Sequence, residues 1–321
     1  MAFNNPAMPW KELERRLSDG RAPGSPSWNA GGDGPAWGRK RQPFEPTLER
    51  RAGSVPYAEL HCHSNYSFLD GASHPEELAT VAARLGLEAL ALTDHDGLYG
   101  IARFAEAARA VKLPTVFGAE FTIDPHAVPQ NGQPDPHGAH LVVLADGPGG
   151  YAQLARAISL AQLAGEKGAP RTTLAELADS AGASPSWWVL TGCRKGAVPA
   201  ALVSEGPTAA RRELARLVEA FGRERVAVEL WDHGDPLDAA RNDALAELAA
   251  RADIACIATN NVHYAVPARR ALATALAAVR ARRVGEVLDR LRAAVEQRGR
   301  TMSLGTGRLV ARFRRHRRAG R

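Results

Sequence analysis

Cysteine is scarce in this sequence. The 321 residues contain three, Cys62, Cys193 and Cys256, which are odd in number and far apart. Such a set does not form a disulfide framework, so a reducing, cytoplasmic setting is expected. Long apolar runs are missing as well, since no stretch approaches the roughly 20 residues that a membrane-spanning helix needs. Because the amino terminus is polar and rich in Pro and Gly, it does not resemble a signal peptide, and no membrane partner is expected.

Neither end of the chain has an excess of acidic side chains, whereas the central part does. Residues 280–321 contain 14 basic and 3 acidic side chains, residues 1–53 contain 9 and 6, and residues 54–279 contain 18 and 26. The net charge of +6 is therefore terminal in origin. An acidic centre is expected of a chain that gathers carboxylates around cations, and equally of a chain with a solvated acidic surface.

Regular periodicity is missing from residues 1–53. Pro, Gly, Ser and Trp occur there in no clear order, so we expect a disordered amino-terminal extension apart from a short helix at Trp10 to Leu17. The pattern becomes regular from Tyr57 onward. Seven apolar runs typical of strands follow, at Tyr57 to Cys62, Ala89 to Thr93, Thr115 to Gly118, Leu141 to Ala145, Trp187 to Thr191, Val226 to Leu230 and Ile254 to Thr259.

Helical periods lie between most of these strands. They cover Pro75 to Leu85, Ile101 to Ala110, Tyr151 to Ala164, Leu174 to Ala181, Thr208 to Phe221, Leu237 to Ala252 and Pro267 to Arg282. Ser73, three residues before Glu76, predicts a capping box at the start of the first helix. Seven strands that alternate with helices predict an α/β fold with a parallel sheet, and at this length a closed or distorted barrel fits better than an open sheet.

This architecture predicts where chemistry takes place. The carboxyl ends of parallel strands meet at one rim, where the connecting loops converge. Ionisable or metal-binding side chains follow six of the seven strands: His61 and His63, Asp94 and His95, Glu120, Cys193, Asp232 and His233, and Asn261 and His263. His140 is the exception, because it precedes its apolar run and reaches the rim only if that strand is placed differently.

His61 and His63 form the clearest motif at this rim. In a strand, alternate side chains leave the same face, so the two imidazoles converge on one point while Leu60 and Cys62 leave the other face. A His-x-His pair can bind one divalent ion or two adjacent ions without backbone strain. Asp70 follows a turn-prone stretch and can reach the same point. The alternative is a half-buried strand that ends in two unrelated histidines.

Three further segments have both a functional and a structural interpretation. Asp94 and Asp96 flank the candidate ligand His95, and at least one of the two carboxylates is expected to cap a turn. Glu120 follows a glycine that allows close backbone approach, and its carboxylate can bridge two cations. Cys193 offers a thiolate that suits Zn²⁺ and not Mg²⁺, or it is an inert buried cysteine. Its neighbours Arg194 and Lys195 either receive a phosphate group or are solvated.

Together, these motifs resemble the PHP (polymerase and histidinol phosphatase) domain. The resemblance rests on His61-x-His63, Asp70, Thr93-Asp94-His95, Gly118-Ala119-Glu120, His140, Thr191-Gly192-Cys193 and Asn260-Asn261-Val262-His263. It implies a distorted seven-stranded β/α barrel with up to three divalent ions, Zn²⁺ or Mn²⁺. The implied ligands are His61, His63, Asp70, His95, Glu120, His140, Cys193 and His263. A ninth ligand position, usually Asp in the family, is Asn261 here, so one ion is expected to be held more weakly.

Longer stretches are similar to the amino-terminal PHP domain of bacterial C-family DNA polymerase alpha subunits. These are Tyr66 to Ala72, Leu190 to Gly196 and Ala258 to Tyr264. The extension before Tyr57, the entry Pro56 to His61 and the segment Glu166-Lys167-Gly168 are closer to the error-prone, ImuC-type branch. The resemblance implies damage-tolerant DNA synthesis in replication and repair, with DNA and other translesion-synthesis proteins as partners of the whole polymerase.

The resemblance divides the chain into a flexible extension at 1–53, a PHP domain at 54–283 and a basic tail at 284–321. No polymerase palm is recognisable in the tail, which is interpreted as a truncated or aberrant start of the polymerase region. Its run Arg312 to Arg318 is a candidate for nucleic-acid backbone contact or a solvated end. Two alternatives stay open: a free-standing PHP phosphoesterase with metal-assisted hydrolysis, and a metal-poor module that binds another protein.

Overall fold

The computed structural model describes residues 56–123, 138–166, 168–182 and 186–280. Its strands are β1 (Ala58–Glu59), β2 (Ala89–Leu92), β3 (Thr115–Ile123), β4 (Ala139–Ala145), β5 (Trp187–Leu190), β6 (Val226–Leu230) and β7 (Ala255–Ala258). Its α-helices are α1 (Pro75–Leu85), α2 (Ile101–Val111), α3 (Gly147–Ala164), α4 (Leu174–Ala181), α5 (Ala197–Ser204), α6 (Pro207–Phe221), α7 (Asp238–Ala252) and α8 (Arg270–Arg280). Short 3₁₀ turns occupy Arg223–Arg225 and Pro267–Arg269. The predicted extension, the helix at Trp10 to Leu17 and the basic tail lie outside the described residues.

The seven strands form one sheet in chain order, from β1 to β7. All neighbouring pairs are parallel except the two that involve β4, which runs antiparallel to both β3 and β5. The expectation of a wholly parallel sheet was therefore wrong at this strand. Its physical reason is the β3–β4 connection, whose sequence contains no helical period, so that β4 can return directly beside β3.

The sheet curls until the segments that follow its two edge strands meet. Cys62 and Val262 form a parallel bridge. Around it, the backbone N–H of His63 donates to the carbonyl of Val262 at 2.8 Å, and the N–H of Val262 donates to the carbonyl of His61 at 2.9 Å. These contacts join the first and last strands only at the carboxyl rim. The predicted α/β class and distorted seven-stranded barrel are confirmed.

Successive residues of β4 show how the two faces of the sheet are buried. Leu141 and Val143 belong to the large apolar cluster shared with residues of α3, α6 and α7. Val142 and Leu144 belong to a smaller cluster with Leu190 and residues of β2 and β6. Each such buried aliphatic side chain contributes about 1.5–3 kcal/mol relative to exposure. The apolar interior and the outer helices together give the polar rim a rigid support.

The helices follow the predicted pattern closely, with two corrections. Pro75 occupies the first helical position of α1, so the residue before the helix is His74, whose N–H donates to the side chain of Glu77 at 3.1 Å. The capping box is thus one residue later than predicted, and Glu76 pairs instead with Arg103 at 2.7 Å. Helix α5 was not predicted, because Ala197–Ser204 is apolar up to its last residue and shows no amphipathic period.

Helix α8 is attached differently from the other helices. None of its residues is buried. Two arginines connect this part of the chain to the barrel, Arg269 to Glu77 and Arg280 to Asp70. Throughout the described ranges, the helices lack the combination of length and apolar character that crossing a membrane would require.

Candidate metal centre

The loop after β1 brings His61 and His63 together at the rim. Their Nε2 atoms lie 3.0 Å apart, and both rings are buried. The predicted convergence of the two imidazoles is therefore observed. Burial, followed by the positive charge of His95, holds the pKa of His63 well below its usual range.

Asp94 holds this loop in place through hydrogen bonds. Its carboxylate accepts hydrogen bonds from the backbone N–H and the hydroxyl of Ser64, and from the hydroxyl of Ser67, each at 2.7 Å. Asp96 has a similar role, because it accepts from the N–H and hydroxyl of Thr122 at 2.9 and 3.0 Å. Both aspartates beside His95 thus hold distant segments in place, Asp94 the loop at Ser64 and Ser67 and Asp96 the strand residue Thr122, and these contacts are not the local turn caps that the sequence predicted.

Glu120, on β3, lies at the middle of the cluster. Four imidazoles surround its carboxylate: Nε2 of His61 at 3.3 Å, Nε2 of His63 at 3.5 Å, Nδ1 of His95 at 3.0 Å and Nδ1 of His140 at 3.1 Å. Burial alone would raise the pKa of Glu120, but the positive charges of His140, His61 and His95 hold it well below its usual range. The group is therefore ionised over the whole physiological pH range.

Asp70 forms a second corner of the site. Its Oδ2 faces Nε2 of His95 at 3.2 Å and Nδ1 of His263 at 3.0 Å, while Oδ1 contacts Arg280. Although burial opposes it, hydrogen bonding to His263 and His95 holds the pKa of Asp70 far below its usual range. The ring of His63 stacks between those of His95 and His263, with centroid distances of 4.5 and 5.0 Å.

His140 reaches the rim because β4 runs backward. In an antiparallel strand the amino end, and not the carboxyl end, lies beside the ends of the parallel strands. His140 pairs with Thr122 in register, and its N–H donates to the carbonyl of Lys195 at 3.0 Å. The sequence predicted that His140 would reach the rim only if its strand were placed differently from the others, and the antiparallel direction of β4 provides that placement.

Six of the eight predicted ligands fall into three groups whose candidate donor atoms lie within 4.8 Å of one another. The groups are His61, His63 and Glu120; His63, Asp70 and His95; and His95, Glu120 and His140. They share members, so the three positions are adjacent. Of the two remaining ligands, His263 contacts Asp70. Cys193 is buried, and its burial together with the charge of Glu120 raises the pKa of its thiol to about 11.

Other predicted rim residues lie apart from these groups. Asp232 accepts from the N–H of Gly234 at 2.9 Å within the turn after β6, and Nε2 of His233 lies 2.6 Å from the carbonyl of Asn260 in the segment after β7. Arg194 is exposed and Lys195 is half-buried. Asn261 has a positive φ of 45° and is 9 % exposed.

Two buried glutamates beside His61 were not singled out from the sequence. Glu229, on β6, is 0 % exposed, and its Oε1 lies 2.7 Å from Nδ1 of His61 and also accepts from the hydroxyl of Thr259. Glu59, on β1, accepts from the N–H of His61 at 2.9 Å and from the hydroxyl of Tyr57 at 2.7 Å. The available signal was a lone glutamate within an apolar strand, which burial requires to be paired.

The burial and charge of these glutamates shift the pKa values of His61 and of Glu59 itself. Burial opposes the charging of His61, but Glu229, ahead of Glu120, raises its pKa well above the usual range. Burial raises the pKa of Glu59 to about 7, against the hydrogen bonds that it accepts from Tyr57 and the backbone.

A curled seven-stranded barrel whose rim gathers histidines around two carboxylates is the arrangement that the sequence resemblance implied. The family model of the PHP domain matches residues 59–233, which is more than half of the chain. The chain belongs to the PHP domain family.

The chain is similar to curated proteins named error-prone DNA polymerase. It is 53 % identical to that of Mycobacterium bovis over 286 residues, which cover 88 % of this chain and 26 % of the relative. It is 51 % identical to that of Cutibacterium acnes over 293 residues, which cover 90 % of this chain and 25 % of the relative. The chain thus spans about a quarter of the length of these relatives. A candidate metal-dependent phosphoesterase from Bifidobacterium adolescentis is 18 % identical, with a TM-score of 0.46, and the match covers 67 % of this chain and 89 % of that one.

Proposed function

We propose that this chain is the PHP module of an error-prone DNA polymerase and that its rim cluster is a divalent-metal centre suited to phosphoester hydrolysis. The similarity to the mycobacterial and cutibacterial polymerases supports the first part. The ligand set of the second part is the one implied by the family resemblance: His61, His63, Asp70, His95, Glu120, His140, Cys193 and His263.

The observation that carries the proposal is the environment of Glu120. Four imidazole nitrogens lie between 3.0 and 3.5 Å from its oxygens. The side chain is fully buried, and its Oε1 has no hydrogen-bond partner of good geometry among the described residues. A buried carboxylate left in that state is costly unless a cation or a hydrogen bond compensates it. The cluster therefore fits a bound cation better than it fits a purely structural network.

The chemistry of the donors indicates which ions fit. Imidazole nitrogen and carboxylate oxygen suit Zn²⁺ and Mn²⁺, and the thiol of Cys193 favours Zn²⁺. Three adjacent donor groups support up to three ions. Asn261 Oδ1 is buried and has no hydrogen-bond partner among the described residues. A neutral amide contributes an oxygen without a charge, so we propose that the ion nearest to it is the weakest.

When bound, such ions lower the pKa of a coordinated water and polarise a phosphoryl group. The protein supplies the rest. Glu120 belongs to two of the donor groups and holds negative charge between them, and the barrel interior excludes water beneath the rim. Arg194 and Lys195 are proposed to bind substrate phosphate, because their loop also contains Cys193 and its backbone holds His140 in place.

For the longer protein we propose damage-tolerant DNA synthesis in replication and repair, with DNA as substrate, translesion-synthesis proteins as partners and the cytoplasm as location. Disruption of the gene tests this role directly. We expect a fall in the frequency of damage-induced mutation, restored by a copy of the intact gene. An unchanged mutation frequency after ultraviolet damage would contradict the polymerase role without bearing on the metal centre.

A metal-poor structural module is the second candidate. It is favoured by the contact between Arg280 and Asp70, which places an internal cation at one corner of the site. Asn261 supports it as well, because an amide there lowers the negative charge available to an ion. Metal content separates the two candidates.

The test of the metal centre uses the full chain purified without chelator. Elemental analysis after dialysis measures bound zinc and manganese, and bis(p-nitrophenyl) phosphate serves as the diester substrate. We expect at least one ion per chain, and loss of both ion and turnover in Glu120→Gln. Glu247→Gln, an exposed change on α7, is the matched control and should behave as wild type. A folded wild-type chain without metal would favour the structural module.

A further inference from the structure

We propose that Glu229 and the Ser67–Asp94 pair are positioning groups that keep the ring protons of His61 and His63 on Nδ1. Both Nε2 lone pairs then point at one shared cation. The inference rests on the proposed metal centre and deepens it, because it assigns a role to side chains that are not ligands. It follows from the direction of each hydrogen bond around the two rings.

For His61, the outer partner is a carboxylate. Nδ1 lies 2.7 Å from Oε1 of Glu229, and both side chains are fully buried. Oε1 of Glu229 already accepts from the hydroxyl of Thr259, and a carboxylate oxygen is an acceptor, so Nδ1 of His61 is the donor in this contact. The hydroxyl of Thr259 donates to the same oxygen and fixes its position. With a cation bound at the rim, Nε2 of His61 is therefore the nitrogen that offers its lone pair.

For His63, the outer partner is a hydroxyl whose own proton is already used. Ser67 Oγ donates to Oδ1 of Asp94 at 2.7 Å, so toward Nδ1 of His63, at 3.2 Å, it presents only a lone pair. Nδ1 must donate for this contact to be favourable. Asp94 is fixed in turn by the two donors of Ser64. Nδ1 of each ring thus donates outward, through unrelated partners.

The consequence lies between the rings. The two Nε2 atoms are 3.0 Å apart, and Glu120 approaches them with Oε1 at 3.3 Å from His61 and Oε2 at 3.5 Å from His63. A cation between them would accept both Nε2 lone pairs and the carboxylate at once. The hydrogen bonds at the two Nδ1 atoms therefore pre-organise one donor group, which consists of His61, His63 and Glu120.

The test combines ring-nitrogen NMR with zinc affinity. In the full chain labelled with ¹⁵N-histidine, long-range ¹H–¹⁵N spectra report which nitrogen of each ring carries the proton. We expect the Nδ1–H form for both His61 and His63 with zinc bound. A competition titration gives the zinc dissociation constant. Removal of a partner that orients a metal ligand typically weakens binding by about 10- to 100-fold.

The variants separate positioning from simple structural damage. Glu229→Leu should lose the fixed proton position of His61 and weaken zinc binding by about 10- to 100-fold. Glu229→Gln keeps an acceptor oxygen and should retain the Nδ1–H signal with a smaller loss. Ser67→Ala should remove the fixed proton position of His63 and leave that of His61 unchanged. Because Ser67 Oγ also accepts from the N–H of His95 at 3.1 Å, Ser67→Thr is the control that should restore both contacts. The serine pair keeps the inference testable if Glu229→Leu does not fold.

Two results are distinguishable from each other. A folded wild-type chain that binds no zinc would overturn the proposed metal centre. Zinc bound through Nδ1 of either ring, or wild-type affinity in folded Glu229→Leu and Ser67→Ala, would leave the metal centre standing and overturn this inference.

Discussion

The guanidinium of Arg280, the last residue of α8, contacts Oδ1 of Asp70, whose other oxygen faces His95 and His263. Asp70 therefore serves the candidate metal centre and the attachment of α8 at the same time. None of the residues of α8 is buried, and this charge pair is one of the contacts, with Arg269–Glu77, that connect the helix to the barrel. An ion bound at Asp70 would compete with the guanidinium of Arg280 for one negative charge.

Arg280→Gln should strengthen divalent-ion binding. Removal of a positive charge within a few ångströms of the ion relieves repulsion, and we expect an affinity about tenfold higher at low salt, with a smaller gain at high salt. A competition titration with zinc measures it. Arg251→Gln, an exposed change on α7, controls for total charge. Weaker binding in Arg280→Gln would show that the arginine orients Asp70 and does not compete with the ion.

Gly71→Ala should disturb the Asp70 corner. A Cβ at this position would lie 1.9 Å from the carbonyl oxygen of Ser64, so the ligand loop must shift. We expect the free energy of unfolding to fall by about 1–3 kcal/mol and zinc binding to weaken. Gly149→Ala is the matched control, because nothing lies within 4 Å of its added Cβ. Equal stability of the two variants in urea unfolding would refute the tight approach at Gly71.

Glu59 should give the metal-free chain a distinctive pH dependence. Its pKa is raised from 4.5 to about 7 by burial, so between these values the folded state holds a proton that the unfolded state has released. The contribution of Glu59 to the free energy of unfolding is fully present below pH 4.5 and is lost as the pH rises through 7. The shift corresponds to about 3 kcal/mol.

The comparison with Glu59→Gln isolates this contribution. The hydrogen-bond donors around Glu59 meet a carboxyl oxygen in the wild type, but one of them would face the N–H group of the amide in the variant. We therefore expect the free energy of unfolding of the variant to be lower at low pH by about 1–3 kcal/mol. In urea unfolding with chelator present, the difference in free energy of unfolding between wild type and variant should become smaller as the pH rises from 4.5 to 7. Parallel stability curves for the two proteins would contradict the raised pKa.

Asn261→Asp should improve the weakest ion position. The backbone at this residue has a positive φ of 45°, which Asp tolerates as Asn does, so the change adds charge with little strain. We expect about tenfold tighter binding or a higher zinc stoichiometry by elemental analysis, since a charged oxygen replaces a neutral one. Asn65→Asp makes the same chemical change outside the three donor groups. Similar gains in both variants would show a general charge effect.

Sequence patterns predicted the elements and most of the rim, because both depend on local periodicity. The bounds of α1, α4 and β6 agree with the prediction, since amphipathic helices and apolar strands are read from a few neighbouring residues. His61 and His63 converge because they alternate along one extended segment. Such features need no knowledge of distant contacts.

Helix α5 was missed because its own sequence has no amphipathic period, but the other main misses depend on pairing between distant residues. The antiparallel direction of β4 follows from its hydrogen bonds to β3 and β5, and only that direction brings His140 to Glu120. Glu229 lies 168 positions from His61 in sequence, so no local pattern joins them. Its position inside an apolar strand was the sole signal that it has a buried partner.

Anomalous diffraction from crystals of the full chain grown with zinc would show directly whether the rim cluster binds a metal ion. We expect an anomalous peak among Nε2 of His61, Nε2 of His63 and the carboxylate of Glu120, with further peaks toward Asp70 or His140 where more ions bind. Well-ordered imidazoles at the present separations with no peak among them would contradict it.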